Sequence, residues 1–390
     1  MTKVSPSMRW TLYILGFLGF YGTWIRSALN GTLLILFRSL HVTGTLPGGE
    51  LPLKSSLTGI YWPVDYLLNM LIVFFWQAVD GSHPSTSLFG LYFAGQHLAI
   101  IVTLYVDSYK TKRAQTNESS PSLWLYIFQA TAVATTGPWF VLYTLAAGEA
   151  SNSFTTSKAN VKSINFIPLT ITIGYILLVV AMAIPSTGPR AIVSLETQQV
   201  AVAVWNVFPI FTGLLQWTFD TIFCSPDKST TTSSKKSSVP DVELRSALRH
   251  TYAFAIFVSF AAHIAALTTT FSTVLFPTLS SIAAAQTLKP GTVFRLSLSH
   301  TEVHSMGSGA LQFMQWDLVI GFLTVLIPAA SKYHSSQTLA GNSKNVVTLV
   351  LKLLVAVALV GPGAAFVGIK WLDDEVGLTL EGSGAASKRR

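Results

Sequence analysis

Long apolar runs separated by short polar segments dominate the chain. Nine of them approach the roughly 20 residues that a helix needs to cross about 30 Å of hydrocarbon: residues 10–28, 61–80, 87–107, 122–147, 164–184, 197–223, 247–270, 311–330 and 345–369. No stretch shows the apolar–polar alternation of a barrel strand. The pattern predicts an all-α, polytopic membrane bundle of about eight to nine transmembrane helices, forming one domain over residues 1–390. The first run continues into FYGTWIRSALNG without a small-residue cleavage pattern, so it is expected to serve as the first span.

Composition agrees. Half of the 390 residues are hydrophobic and only 11% are charged, far from the quarter-charged make-up of soluble domains. The net charge of +8 comes from basic residues scattered through loops rather than gathered among aromatics, which excludes nucleic acid as a partner and fits anionic lipid headgroups. Lys and Arg nearly balance across the two sides, so the topology stays open. Two glycosylation sequons, at Asn30 and Asn117, fall on the same side of a nine-span arrangement. The single cysteine, Cys224, excludes an internal disulfide.

The connectors carry little machinery. Residues 225–243, SPDKSTTTSSKKSSVPDVE, are expected to form a flexible Ser/Thr/Lys loop. The 38–60 loop holds LPGGELP and is expected over the mouth of the bundle, and 272–308 is expected to include an interfacial helix. Residues 371–390 read as a polar C-terminal tail, with Asp373, Asp374 and Glu375 as solvated acids. No internal repeat is present, so the inverted-repeat signature of many secondary transporters is missing.

No P-loop, GxGxxG, HExxH, GxSxG or CxxC motif occurs, the eight histidines are not spaced as metal ligands, and the spans lack Asp-rich magnesium motifs. Neither a metal nor a cofactor is expected. The chemistry must then lie in polar groups within or at the rims of the helices, where ionisable residues are costly. Asp65, Asp107 and Glu196 lie near helix ends, where an acid also reaches water or caps a helix. Asp220 is accompanied by Gln216 and Trp217. Asp317 lies about two turns inside its span, beside Gln315 and Trp316. Asp80, in FFWQAVDGSHP, ends a helix where the macrodipole opposes negative charge, and with Gln77 one turn earlier and Gln96 in the next helix it is expected to form a polar corner where the hairpin closes. His263 sits deep in FVSFAAHIAAL. Nine spans put Asp80 and Asp220 near one membrane face and Asp65, Asp107, Glu196, His263 and Asp317 toward the other. Asp80 and Asp317 then differ in depth by about half the bilayer core.

The runs FFWQAVDGSHPSTSLFGLYFAGQ (74–96), YAFAIFVSFAAH (252–263) and LQFMQWD (311–317) resemble a family of fungal multi-span proteins. That family includes the membrane-bound meroterpenoid cyclases of the ascochlorin, ascofuranone and macrophorin pathways. The likeness runs from about residue 10 to 370 and leaves the 38–60 and 225–243 loops unmatched. Asp80, Gln96, Asp107, His263, Gln315 and Asp317 coincide with it.

The resemblance implies protonation of a terminal epoxide or alkene on a farnesyl chain attached to an aromatic or quinone-derived head, without metal or diphosphate loss. A neutral carboxyl donates the proton, with Asp80 first in line. Asp317 and His263 take the final proton or activate a hydroxyl, and Asp107 completes the catalytic candidates. Trp76, Trp217, Tyr252 and Trp316 offer aromatic faces to the cation, and Gln77, Gln96, Gln216, Asp220 and Gln315 line the site. The expected partners are a hydrophobic prenylated small molecule and membrane lipid, with the endoplasmic reticulum as the location. The alternative is a transporter or exporter of a small hydrophobic metabolite, with the same buried acids as proton relays.

Overall fold

The computed structural model describes residues 4–54, 56–110, 120–146, 158–224, 241–279, 281–299, 301–342 and 345–382, and these fold into seventeen α-helices. Helix α1 (Pro6–Phe20) passes through a π turn (Tyr21–Ile25) into α2 (Arg26–Leu29), and α3 (Thr32–Arg38) follows Gly31. Helices α4 (Trp62–Val79) and α5 (Pro84–Lys110) form a hairpin, followed by α6 (Pro121–Thr131) and α7 (Val133–Ala146). Helix α8 (Lys158–Ile171) continues through a second π turn (Thr172–Ile176) into α9 (Leu177–Met182). Helix α10 (Leu195–Asn206) bends by 63° into α11 (Phe208–Phe223). The rest comprises α12 (Asp241–Leu275), the short α13 (Ile282–Thr287) and α14 (Pro290–Val293), α15 (Met306–Leu339), α16 (Val346–Val360) and α17 (Pro362–Gly382).

The fold is all-helical among the described residues, but the span count is lower than eight or nine. Among the described residues five helices are long and apolar enough to cross a membrane, or six if the bent α10–α11 pair is one span. The other runs are broken inside. The 10–28 run contains the π turn, 122–147 breaks at Ala132, 197–223 bends at Val207 ahead of Pro209, and 345–369 breaks at Gly361 ahead of Pro362. Hydropathy reports burial in an apolar phase and is blind to the backbone angle that stops a helix.

Helix α5 is the centre, packed against α12, α15 and α17. Leu98, Ala99, Ile101, Val102 and Val106 are wholly buried along it. Close approach depends on small residues: a Cβ on Gly95 would come within 2.3 Å of the Ala262 methyl. The outside is apolar as well, with Phe17, Leu34, Leu214, Phe257 and Leu354 exposed, as expected of a surface solvated by lipid.

Other expectations shift. The 38–60 loop lies along α4, with Leu46 buried against Leu68, Ile72 and Trp76. Helix α12 runs on to Leu275, and among the described residues the rest of the 272–308 connector holds a 3-10 turn (Pro277–Leu279), α13 and α14 before α15 begins. Residues 371–382 continue α17, and Asp373 and Asp374 are buried, so the acidic trio is no solvated tail. Asn30 is buried and bonded to Gln312 and Thr32, which removes it as a glycosylation acceptor. Asn117, the 225–240 part of the serine-rich connector and residues 383–390 lie outside the described residues.

Candidate functional site

Several polar side chains in the interior are spent on backbone groups that broken helices leave unpaired. Where α6 ends, Ala132 adopts φ 74° and ψ 143°. The first N–H groups of α7 then point away from any intrahelical acceptor. Asp317 Oδ1, from α15, accepts from Ala134 N at 2.7 Å. Where α16 ends, Gly361 adopts φ 89° and ψ 157°. There Gln96 Oε1, from α5, accepts from Gly363 N at 2.9 Å, while its Nε2 donates to the Ser259 carbonyl at 2.8 Å. His263 joins this second break by a 3.1 Å contact between Nε2 and the Ala358 carbonyl.

The other predicted glutamines do similar work. Gln77 Oε1 accepts from Gly307 N at 2.6 Å, fastening the α4–α5 hairpin to the start of α15. Gln315 Nε2 donates to the Val293 carbonyl at 2.7 Å, and Gln216 Nε2 to the Ser163 carbonyl at 3.0 Å. Trp316 donates to the Ser297 carbonyl at 3.1 Å. Its ring lies on Gly22, where a Cβ would approach to 2.2 Å. Trp76 is packed in the core, whereas Trp217 is 66% exposed and faces outward.

Asp80 closes α4. Its Oδ1 accepts from Ser82 N at 2.8 Å and from Ser82 Oγ at 2.7 Å, and the side chain is half-buried. Because Gln77 and Thr86 both bond Gly307, Asp80 stands near the level of the α15 N-terminus. Asp317 lies ten residues further along α15 than Gly307, about 15 Å at 1.5 Å per residue. Between these levels is a cavity of about 80 Å³. Its wall includes Val79, the residue before Asp80, and Met314, one turn before Asp317, with Phe75, Phe93, Met182 and Trp205. Of the four acids weighed for catalysis or binding, Asp317 alone is buried, and no cation pairs with it among the described residues.

Asp107 and Tyr252 belong elsewhere, at the far end of α5. Asp107 is held by Lys370 at 2.6 Å and Lys110 at 3.0 Å. Lys110 also reaches Asp374 at 2.7 Å, and Tyr252 donates to the same carboxylate at 2.6 Å. Lys332 pairs with Asp373 at 3.1 Å, and Arg245 and Arg249 with Glu375 at 2.6 and 2.7 Å. Each of these carboxylates has a cation, so this end reads as a structural clamp joining α5, α12, α15 and α17. Asp220 accepts from Tyr109 and therefore sits at this end, opposite Asp80. Glu196 sits at the Asp80 end, since Gln198 bonds the Val79 carbonyl at 3.2 Å. Both placements reverse the nine-span arrangement, because each broken run changes which face the next residue reaches.

Hydrogen-bonding capacity left over is scarce. Among the described residues, Arg26 Nε and Nη1, Trp205 Nε1 and His263 Nδ1 are buried without a partner. Of these, the sequence singles out His263 as a candidate and offers Trp205 only as one of several aromatic faces. The sign for Arg26 was available, a lone guanidinium inside the first apolar run, but it was counted with the loop charges. Nothing in the sequence marked Trp205 apart from other tryptophans.

Fold and site together define a helical bundle with helices long and apolar enough to cross a membrane, and with a largely apolar cavity walled in part by aromatic side chains. The chain belongs to the CtvD domain family, which matches residues 8–378. It is 28% identical over 370 residues to the terpene cyclase ctvD of Aspergillus terreus, covering 93% of this chain and 97% of that protein. The terpene cyclase penA of Penicillium crustosum is 25% identical over 331 residues (83% and 84% covered), and the terpene cyclase ascI of Acremonium egyptiacum 23% over 366 (91% and 89%). No solved structure matches. The resemblance to fungal meroterpenoid cyclases read from the three runs is borne out.

Proposed function

We propose that this chain is a terpene cyclase of the endoplasmic reticulum membrane that converts a farnesylated, lipid-soluble reactant to a cyclic isomer. Asp317 is the proton donor. Its carboxyl proton passes to the epoxide oxygen, the bond from that oxygen to the more substituted carbon breaks, and the π electrons of the next alkene close the ring on that carbon. The last cation loses a proton to a base, for which His263 or Asp80 is available, and return of a proton to Asp317 makes the reaction an isomerisation. The same carboxyl would serve for direct protonation of an alkene.

The observation that carries this reading is the site of Asp317: a buried carboxyl without a cation, one turn from the wall of a cavity with aromatic and thioether sides. Aromatic faces stabilise a passing cation without trapping it. Family membership and the names of the relatives support the reaction class. The cavity of about 80 Å³ is well below the roughly 300–1,000 Å³ of ordinary ligand pockets. Admitting a farnesyl chain therefore requires the walls to part, and the flexible side chains of Met182 and Met314 suit such repacking.

The test is a microsome assay. Membranes from a host expressing the chain, fed a farnesylated epoxide, should yield a product of equal mass but different retention, absent from control membranes. Activity should persist in EDTA, because protonation of an epoxide needs no metal. Loss of turnover in EDTA with recovery on adding magnesium would refute the protonation route.

A further inference from the structure

Arg26 is 1% exposed, yet among the described residues only one of its three nitrogens has a hydrogen-bond partner. Its Nη2 donates to Gln312 Oε1 at 2.8 Å, and the guanidinium carbon lies 5.8 Å from the centre of the Trp316 ring. No carboxylate pairs with it among the described residues. A buried guanidinium is costly unless it is paired and bonded. At the opposite end of the bundle this same chain gives every clamp cation a carboxylate, so the exception at Arg26 stands out.

The surroundings hold the group in place. Gln312 Oε1 is shared with Asn30 Nδ2 at 3.1 Å, and Asn30 Oδ1 in turn accepts from Thr32 N at 3.1 Å. Trp316 is pinned by Ser297 on one side and by Gly22 against its ring. Gly22 belongs to the π turn that leads directly into Arg26, and a widened turn of this kind often marks a functional position. Trp316 also precedes Asp317, so the guanidinium and the proposed acid are tied to adjacent residues of α15.

We propose that Arg26 is the anchor for an acidic oxygen on the head group of the reactant, a phenolate, enolate or carboxylate, which accepts from the two open nitrogens, Nε and Nη1, while the prenyl chain extends into the bundle. This rests on the cyclase reading for the identity of the ligand, but the site itself does not. A phospholipid phosphate offers the same chemistry. Burial favours the reactant: Gln312 lies six residues into α15 from Met306, about 9 Å, and Arg26 has almost no surface at which a headgroup resting in the interface would meet it.

The experiment is a binding titration of the full chain in detergent with 2-farnesyl-4-nitrophenol, whose phenolate absorbs in the visible, beside its methyl ether. Wild type should bind the nitrophenol as its phenolate, at a pH where the free compound in the same micelles is still protonated. Arg26→Gln should weaken that binding by about 10- to 100-fold, the worth of hydrogen bonds to a charged group, abolish the shift in the phenolate band and leave affinity for the methyl ether unchanged. Arg26→Lys should keep the band shift at reduced affinity. Equal loss for both compounds in Arg26→Gln would mean a packing role and overturn the anchor, as would a wild type that does not distinguish them. Displacement of the phenolate by a small mole fraction of phosphatidic acid, but not of phosphatidylcholine, would assign the site to lipid and overturn the reactant. If the phenolate is bound through Arg26 and farnesylated epoxides give no isomer, the cyclase reading fails while the anchor stands.

Discussion

Two helices of this bundle break in the same way and are mended differently. At Ala132 and at Gly361 the backbone takes nearly the same positive-φ, extended-ψ conformation, and in each case a neighbouring helix supplies an acceptor to the new N-terminus. At Gly361 that acceptor is the neutral amide of Gln96, and the residue at the break is one that adopts positive φ freely. At Ala132 the acceptor is the carboxyl of Asp317, and the residue at the break carries a Cβ. A neutral side chain therefore suffices to cap such a break. The carboxyl at Ala132 also faces the Val133 N–H, so capping alone does not set it apart; the proton is assigned to it because it is buried, has no cation among the described residues and lies one turn from the cavity wall.

The sharpest way to break this comparison is to make the first break resemble the second. Asp317→Asn keeps an oxygen for Ala134 N and removes the acid. Turnover should fall by about 10²–10⁴, the usual worth of a general acid, with little change in thermal unfolding. Asp80→Asn should be much milder, because an Asn oxygen still accepts from Ser82 and preserves the turn. A dead Asp80→Asn beside an active Asp317→Asn would move the acid to the hairpin and leave Asp317 as a cap.

The converse test removes the cap at Gly361. Gln96→Leu leaves Gly363 N and the Ser259 carbonyl without their side-chain partner, and each unsatisfied buried group costs about 1–3 kcal/mol. The variant should unfold at lower temperature in detergent, while kcat per folded molecule stays near wild type. A selective fall in kcat with unchanged stability would show that Gln96 touches the reactant instead.

The helical class and the apolar character of the bundle were legible because they depend on composition and run length. The breaks were not. Pro362 hints at one, but nothing in LYIFQATAVATTGPWF announces that Ala132 takes positive φ, and the side chain that meets the break, Asp317, comes from a helix distant in sequence. The buried glutamines were correctly singled out as interior, yet their partners are backbone groups of distant helices, which no local pattern encodes. Asp373 and Asp374 were misread for a related reason: acids after an apolar run look solvated until the lysines that bury them, Lys332 and Lys110, are brought over from other helices.

The smallest effects separate the two residues at the breaks themselves. Gly361→Ala should destabilise, because positive φ strains a residue with a Cβ and the new methyl would lie 2.8 Å from Gln96 Oε1 and 3.0 Å from the His263 ring. For Ala132→Gly the terms oppose one another. Losing a buried methyl costs about 0.8 kcal/mol and the freer unfolded chain about 0.4–1 kcal/mol, against about 1–3 kcal/mol of relieved backbone strain. The net change should lie near zero or slightly on the stabilising side. Ala99→Gly is the reference, since Ala99 is equally buried but sits in the unstrained helix α5. That change loses the methyl and about 1 kcal/mol of helix propensity with no strain to recover. Chemical or thermal unfolding of the two variants should therefore differ by about 1–3 kcal/mol in favour of Ala132→Gly. Equal destabilisation would mean that Ala132 is not strained, and the claim that this break is held open at a cost would be withdrawn.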